Sequence, residues 1–252
     1  MIRTLVMIAI AGFVVSLVTI SAAVGIAGPQ AILNGGWTFG PNGWGEHHGT
    51  WRSNEDGPQT TRDIPWSGGD ALDIDLPADV TYMQAAGPAK ITVSGPKDAI
   101  SDLEIRDGHI GYIRHSDHDG TLTIAVSAPA VRKFTMESSG RLAIDNYDQD
   151  RLELSLEGDA DASVKGVAKA LQLSISGSAD ADLGALATHT AKVEIDGSGN
   201  ATVRPTDAAD LSLSGSGDVT LLSDPPKLQT HISGSGEVRR SNGDTRSASK
   251  DD

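Results

Sequence analysis

The sequence predicts an all-β chain: a parallel β-solenoid, or β-helix-like domain, of stacked 18–20-residue rungs, preceded by one N-terminal hydrophobic helix. Three observations carry that prediction. A short phrase recurs from Phe134 to Arg240, anchored on Gly140, Gly158, Gly177, Gly197, Gly215 and Gly234 at steps of 18, 19, 20, 18 and 19 residues. A period of that size marks a solenoid in which each copy stacks on the next. Around each anchor, apolar and polar residues alternate with period two, as strands with one buried face require. Between the two limbs stands Gly-Ser-Gly or a close variant, where the chain turns a corner that a Cβ would obstruct.

The register is the same in each copy. Apolar pairs precede the anchor at Leu154/Leu156, Leu173/Ile175, Val193/Ile195 and Leu211/Leu213, and follow it at Ala162/Val164, Ala181/Leu183, Ala201/Val203 and Val219/Leu221. Each rung then reads as strand, tight corner, strand and variable return loop. An antiparallel sandwich is the alternative, but it does not require one corner at near-constant spacing. Aromatics are 4% of the chain and glycines number 29, which points to a thin aliphatic core.

From Leu5 to Ala27 the chain is uncharged and apolar, with Arg3 before it. About 23 residues suffice to cross a bilayer, so residues 1–27 read as a transmembrane anchor, with a cleaved signal peptide as the alternative. Either way, Arg3 stays cytoplasmic and the remainder is exported. Residues 28–69 read as a Gly/Trp-rich linker holding Trp37, Trp44, Trp51 and Trp66. Trp37 suits a membrane interface. The others dock the linker onto the solenoid or stack on a sugar or a partner.

The folded domain is expected over 70–240. Leu72-Asp-Ile74-Asp-Leu76 alternates, Pro77-Ala-Asp79 turns the chain, and Ile91-Thr-Val93 leads to a turn at Ser94-Gly95-Pro96. Asp107-Gly108 suits a hairpin, and Thr121–Val126 is a further strand. Residues 241–252 form a polar tail, expected to be disordered. The run LDIDLPADVTY…ITVSGPKDAISDLEIRDGHI, followed by LSLSGSGDVTL-type phrases, resembles the putative auto-transporter adhesin head GIN domain family of exported bacterial proteins. That resemblance spans about 70–238. It implies a β-solenoid-like domain on the bacterial cell envelope and, by the family's name, adhesion. It brings no catalytic residues to carry over.

Charge excludes one partner class. A net charge of −14 does not suit nucleic acid, which needs a basic face. The absence of cysteine means export without disulfides. Three residues past the anchors stand Asp161, Asp180, Asn200, Asp218 and Glu237. In stacked rungs these form an oxygen ladder, either solvated or holding Ca²⁺, which takes six to eight oxygen ligands. His115, Asp117, His118 and Asp119 crowd two imidazoles and two carboxylates into five residues, as an exposed turn or a transition-metal site. No Gly-x-Ser-x-Gly elbow or cysteine supports nucleophilic catalysis. The expected function is a non-enzymatic, envelope-exposed binding or scaffold domain, with an envelope protein or polysaccharide as partner. A carbohydrate-active enzyme using paired carboxylates such as Asp180 and Asp218 and a membrane-tethered sensor or structural subunit are the alternatives.

Overall fold

Where apolar and polar residues alternate, the chain extends and buries one face. A computed structural model describes residues 59–113 and 121–241, all within the compact unit Asn54–Asp252. Its first strands are β1 (Gln59–Pro65), β2 (Ala71–Asp75), β3 (Ala78–Gln84), β4 (Lys90–Pro96), β5 (Leu103–Arg106), β6 (His109–Tyr112), β7 (Leu122–Ala128) and β8 (Lys133–Met136). The long elements follow: β9 (Gly140–Gly158), β10 (Ala160–Gly177), β11 (Asp180–Gly197), β12 (Asn200–Val203), β13 (Pro205–Gly215), β14 (Val219–Leu221), β15 (Lys227–Gly234) and β16 (Val238–Arg240). One five-residue helix, α1 (Lys97–Ser101), interrupts them.

Parallel pairing stacks these strands in levels, as the repeat period requires. Ile110, Ile74, Met136, Leu156, Ile175, Ile195, Leu213 and Ile232 lie in register, one above another. These eight levels are seven steps tall, about 34 Å at roughly 4.8 Å per strand. The solenoid therefore holds, with about 5 turns, and its parallel ladders rule out the sandwich. The inward pairs expected from Leu154 to Leu221 are all buried. At the corners, Gly197 adopts φ +135° and packs directly beneath Gly177, so a Cβ there would collide with the Gly177 carbonyl oxygen.

The levels do not follow chain order. The β2–β3 level lies between β6–β7, which comes later in sequence, and β8–β9. Antiparallel strands cover the early end: β5 pairs β6, β4 pairs β7, and β1 pairs β4. Asp107 (φ 52°) and Gly108 (φ 89°) make the expected hairpin between β5 and β6.

Five expectations need correction. The phrase anchors the first copy on Gly140, but Phe134 and Met136 pair with Leu154 and Leu156, and no backbone packs beneath Gly158 as it does beneath the later corner glycines. Gly140 pairs with Ala160 instead. Ser138-Ser139-Gly140 imitates the phrase, and the strand register decides otherwise. Second, the return segments within β9, β10 and β11 are strand, because Val167, Ala168 and Thr188 still stack between rungs, with bulges near Val164/Gly166 and Thr188/Thr190. Residues 222–226, between β14 and β15, form the expected loop. Third, Ser94-Gly95-Pro96 ends β4 rather than turning, since Pro96 holds Gly95 extended and Gly95 lies against Leu122. Fourth, the core is not purely aliphatic: Phe134 sits edge-on between Tyr82 and Tyr147, at centroid distances of 4.9 and 6.4 Å. Fifth, order begins before Asp70. β1 occupies Gln59–Pro65, and Trp66 is buried in the core as the docking reading supposed. The apolar segment 5–27, Trp37, Trp44, Trp51 and the tail beyond Ser241 lie outside the described residues.

Candidate functional site

The oxygen ladder is assembled as the repeat spacing implies, and its chemistry is mostly spent within the fold. Asp180 pairs with both Asp161 and Asn200 across the parallel strands. Asp180 Oδ1 accepts from the Asn200 backbone N–H at 3.1 Å and from Asn200 Nδ2 at 2.9 Å. Asn200 Oδ1 accepts from the Asp218 N–H at 3.1 Å, and Asp218 Oδ1 from the Glu237 N–H at 2.8 Å. Asn200 and Asp218 thus each cap an N–H at the corner of the next rung, and Asp180 shares the Asn200 N–H with the Ala179 carbonyl oxygen. Arg239 closes the chain on Asp218 and Glu237, at 3.0 and 3.1 Å. Among the described residues no group of three or more His, Asp or Glu side chains is arranged to hold a metal ion. His118 and Asp119, with His115 and Asp117, lie outside the described residues.

The first limbs present a different surface. From β9 to β15, outward residues line up in rows along the solenoid axis. One row runs Arg151, Ala170, Thr190, Ala208, Lys227, and another Glu153, Gln172, Lys192, Asp210, Gln229. Between them, buried Leu171, Ala191 and Ala209 form the floor of a shallow groove of about 430 Å³. Small side chains in the first row keep it open. Arg151 Nη2 donates to Gln172 Oε1 at 2.7 Å and lies 3.4 Å from Glu153.

A second groove, about 470 Å³, continues the same face toward the early levels. Its walls include Asp73, Glu137, Glu153 and Glu157. Desolvation, with the Asp73, Asp75 and Glu157 carboxylates nearby, pushes the Glu137 carboxyl above its usual range, and His109 offsets this in part. His109 Nδ1 lies 2.9 Å from Asp73 Oδ2. Neither groove was expected from the sequence. Their members come from separate levels, and only the repeat register, extended back to Lys133, could have aligned them.

Comparison with known proteins follows the fold closely. A family model described as "Putative auto-transporter adhesin, head GIN domain" matches residues 67–225. A putative adhesin from Bacteroides fragilis is similar in structure at TM-score 0.60 and 16% identity, covering 73% of this chain and 97% of that one. A putative adhesin from Parabacteroides merdae (TM-score 0.46, 17% identity, 73% and 96% covered) and a putative lipid binding protein from Parabacteroides distasonis (0.44, 17%, 74% and 97%) are more distant. No curated protein matches the chain. The family model spans more than half of the sequence and takes in the strands from β2 to β14, so this chain belongs to the auto-transporter adhesin head GIN domain family.

Proposed function

We propose that the chain is a non-enzymatic binding or scaffold domain of the bacterial cell envelope, held at the membrane through residues 5–27. The observation that supports it is the continuous outward face of the first limbs, where two adjoining shallow grooves run along the axis across successive rungs. Such a face fits an extended partner, because each rung presents its outward positions one strand spacing further on along the same line. The family's adhesin name and its likeness to the Bacteroides fragilis protein agree with that reading. The test is sedimentation of the purified full-length chain with isolated envelope material. Retention that saturates supports the proposal, and no retention at any concentration overturns it. Fractionation addresses the membrane segment separately: a high-salt wash should leave the chain in the pellet, because screening does not release an apolar helix.

One observation favours the carbohydrate-active alternative. Glycoside hydrolysis needs a carboxyl that keeps its proton near a carboxylate that does not. In the second groove Glu137, pushed upward by desolvation and by the nearby Asp73, Asp75 and Glu157 carboxylates, is the carboxyl this reading would use as the acid. Turnover of an envelope glycan that disappears in Glu137→Gln would establish this reading in place of the first.

A further inference from the structure

We infer that the groove over Leu171, Ala191 and Ala209 binds an extended, carboxylate-bearing glycan lying along the solenoid axis. The inference rests on the binding reading above and names the partner's chemistry. On a chain of net charge −14, this groove concentrates cations. Arg151, Lys192 and Lys227 stand on its two lips, against Asp210 and two flanking carboxylates, Glu153 3.4 Å from Arg151 and Glu194 3.8 Å from Lys192. By strand pairing they occupy alternate levels: Arg151 is two rungs from Lys192, and Lys192 two from Lys227. Positive charge therefore recurs about every 10 Å over about 19 Å of groove, at roughly 4.8 Å per rung. A polymer with anionic groups at regular intervals matches such a row, and a single small anion does not.

Groove shape narrows the class further. Its floor of Leu171, Ala191 and Ala209, with Ala170 and Ala208 on the first lip, is low enough for a flat sugar chain to lie on it. Arg151 offers a planar guanidinium that pairs with carboxylate in two-point fashion. A lipid surface fits less well. The exposed large apolar side chains of the described residues are Met83, Ile113, Val167 and Ile232, none of which lines this groove, so it has no apolar anchor to insert. Duplex nucleic acid fits less well, because it carries one negative charge about every 1.7 Å of its axis, far denser than this row of cations can match.

The test compares polygalacturonate, neutral dextran, and vesicles of phosphatidylglycerol and phosphatidylcholine as probes of the full-length chain. Polygalacturonate should bind, dextran should not, and added salt should weaken the interaction. The triple variant Arg151→Ala/Lys192→Ala/Lys227→Ala should lose about tenfold or more in affinity. Lys90→Ala/Lys97→Ala/Lys165→Ala changes charge equally on other surfaces and should bind as the parent does. Thermal melts of both variants establish that they fold. Equal binding of dextran, equal losses in the two variants, or vesicle binding with no polygalacturonate binding would overturn the inference. Retention on envelope material that survives in the first variant would overturn the groove assignment while leaving the broader function standing.

Discussion

The two ends of the stack treat the same residue type differently. Ile110 begins the inward column and is fully buried, while Ile232 ends it and is 43% exposed. At the early end, β5 and β4 pair antiparallel onto the first level, β1 pairs onto β4 and α1 follows β4, so the ladder stops against covering strands. At the late end, β15 and β16 pair only toward β13 and β14, leaving an open edge among the described residues. Charged Lys227, Arg239 and Arg240 stand along that edge, a common guard against strand addition. A repeat therefore does not own its burial. Each inward side chain is buried by the levels on both sides, and the last level has only one.

The largest expected effect tests that claim within one column. Ile195→Asp places a carboxylate at a site only 1% exposed, between Ile175 and Leu213, and should cost several kcal/mol in chemical denaturation. Ile232→Asp makes the same change at the open end and should cost less than about 1 kcal/mol. Equal losses would mean that the late end is covered.

The corner comes next in size. Gly197→Ala forces a Cβ against the Gly177 carbonyl at φ +135° and should cost about 3 kcal/mol or more. Gly158, at φ +82°, has nothing within 4 Å of an added Cβ. Its alanine variant should cost only about 1 kcal/mol, for backbone strain alone. A reversed order in urea titrations would refute the claim that the glycine column stacks backbone on backbone.

The early levels also carry a pH dependence set by their buried tyrosines. Burial pushes the phenols of Tyr82 and Tyr147 upward, Tyr147 the further, with Tyr82 adding to the effect on Tyr147. The folded state thus prefers the neutral phenol. That contribution is fully present below the ordinary tyrosine range, about pH 10, and fades as pH rises through the higher folded values. No tyrosine lies beyond Tyr147, so hydrogen exchange above about pH 10 should accelerate first in β3 and β9 and spare β13. Tyr82→Phe should remove its part of that sensitivity. It also loses the 2.9 Å bond to the Ala128 carbonyl, at about 1 kcal/mol.

The ladder should give the smallest effects. Asn200→Ala removes an acceptor for the Asp218 N–H and should cost about 1 kcal/mol. Outward Glu194→Lys should stay within about 0.5 kcal/mol. Millimolar Ca²⁺ should shift the melting temperature no more than matched ionic strength does. A calcium-specific rise, lost when Asp161, Asp180 and Asp218 become Asn, would make the ladder a cation site.

Much of this architecture was legible because its causes are local. Period-two alternation assigns Leu173, Ile195 and Leu213 to the inside without reference to any partner, and the Gly-Ser-Gly phrase marks the corner wherever it occurs. The positions of Asp180, Asn200 and Asp218 followed from the same spacing. Their hydrogen bonds did not, because an oxygen facing solvent and one facing the next rung's N–H look alike in sequence. The tertiary structure alone decided which strands became neighbours. Backbone N–H and C=O groups are the same in every strand, so nothing local places β2–β3 between β6–β7 and β8–β9, or pairs Gly140 with Ala160 rather than with Gly158. The grooves belong to this second class. They exist only once the pairing of distant strands brings Arg151, Lys192 and Lys227 onto one face, and that choice is made by burying the whole column at once.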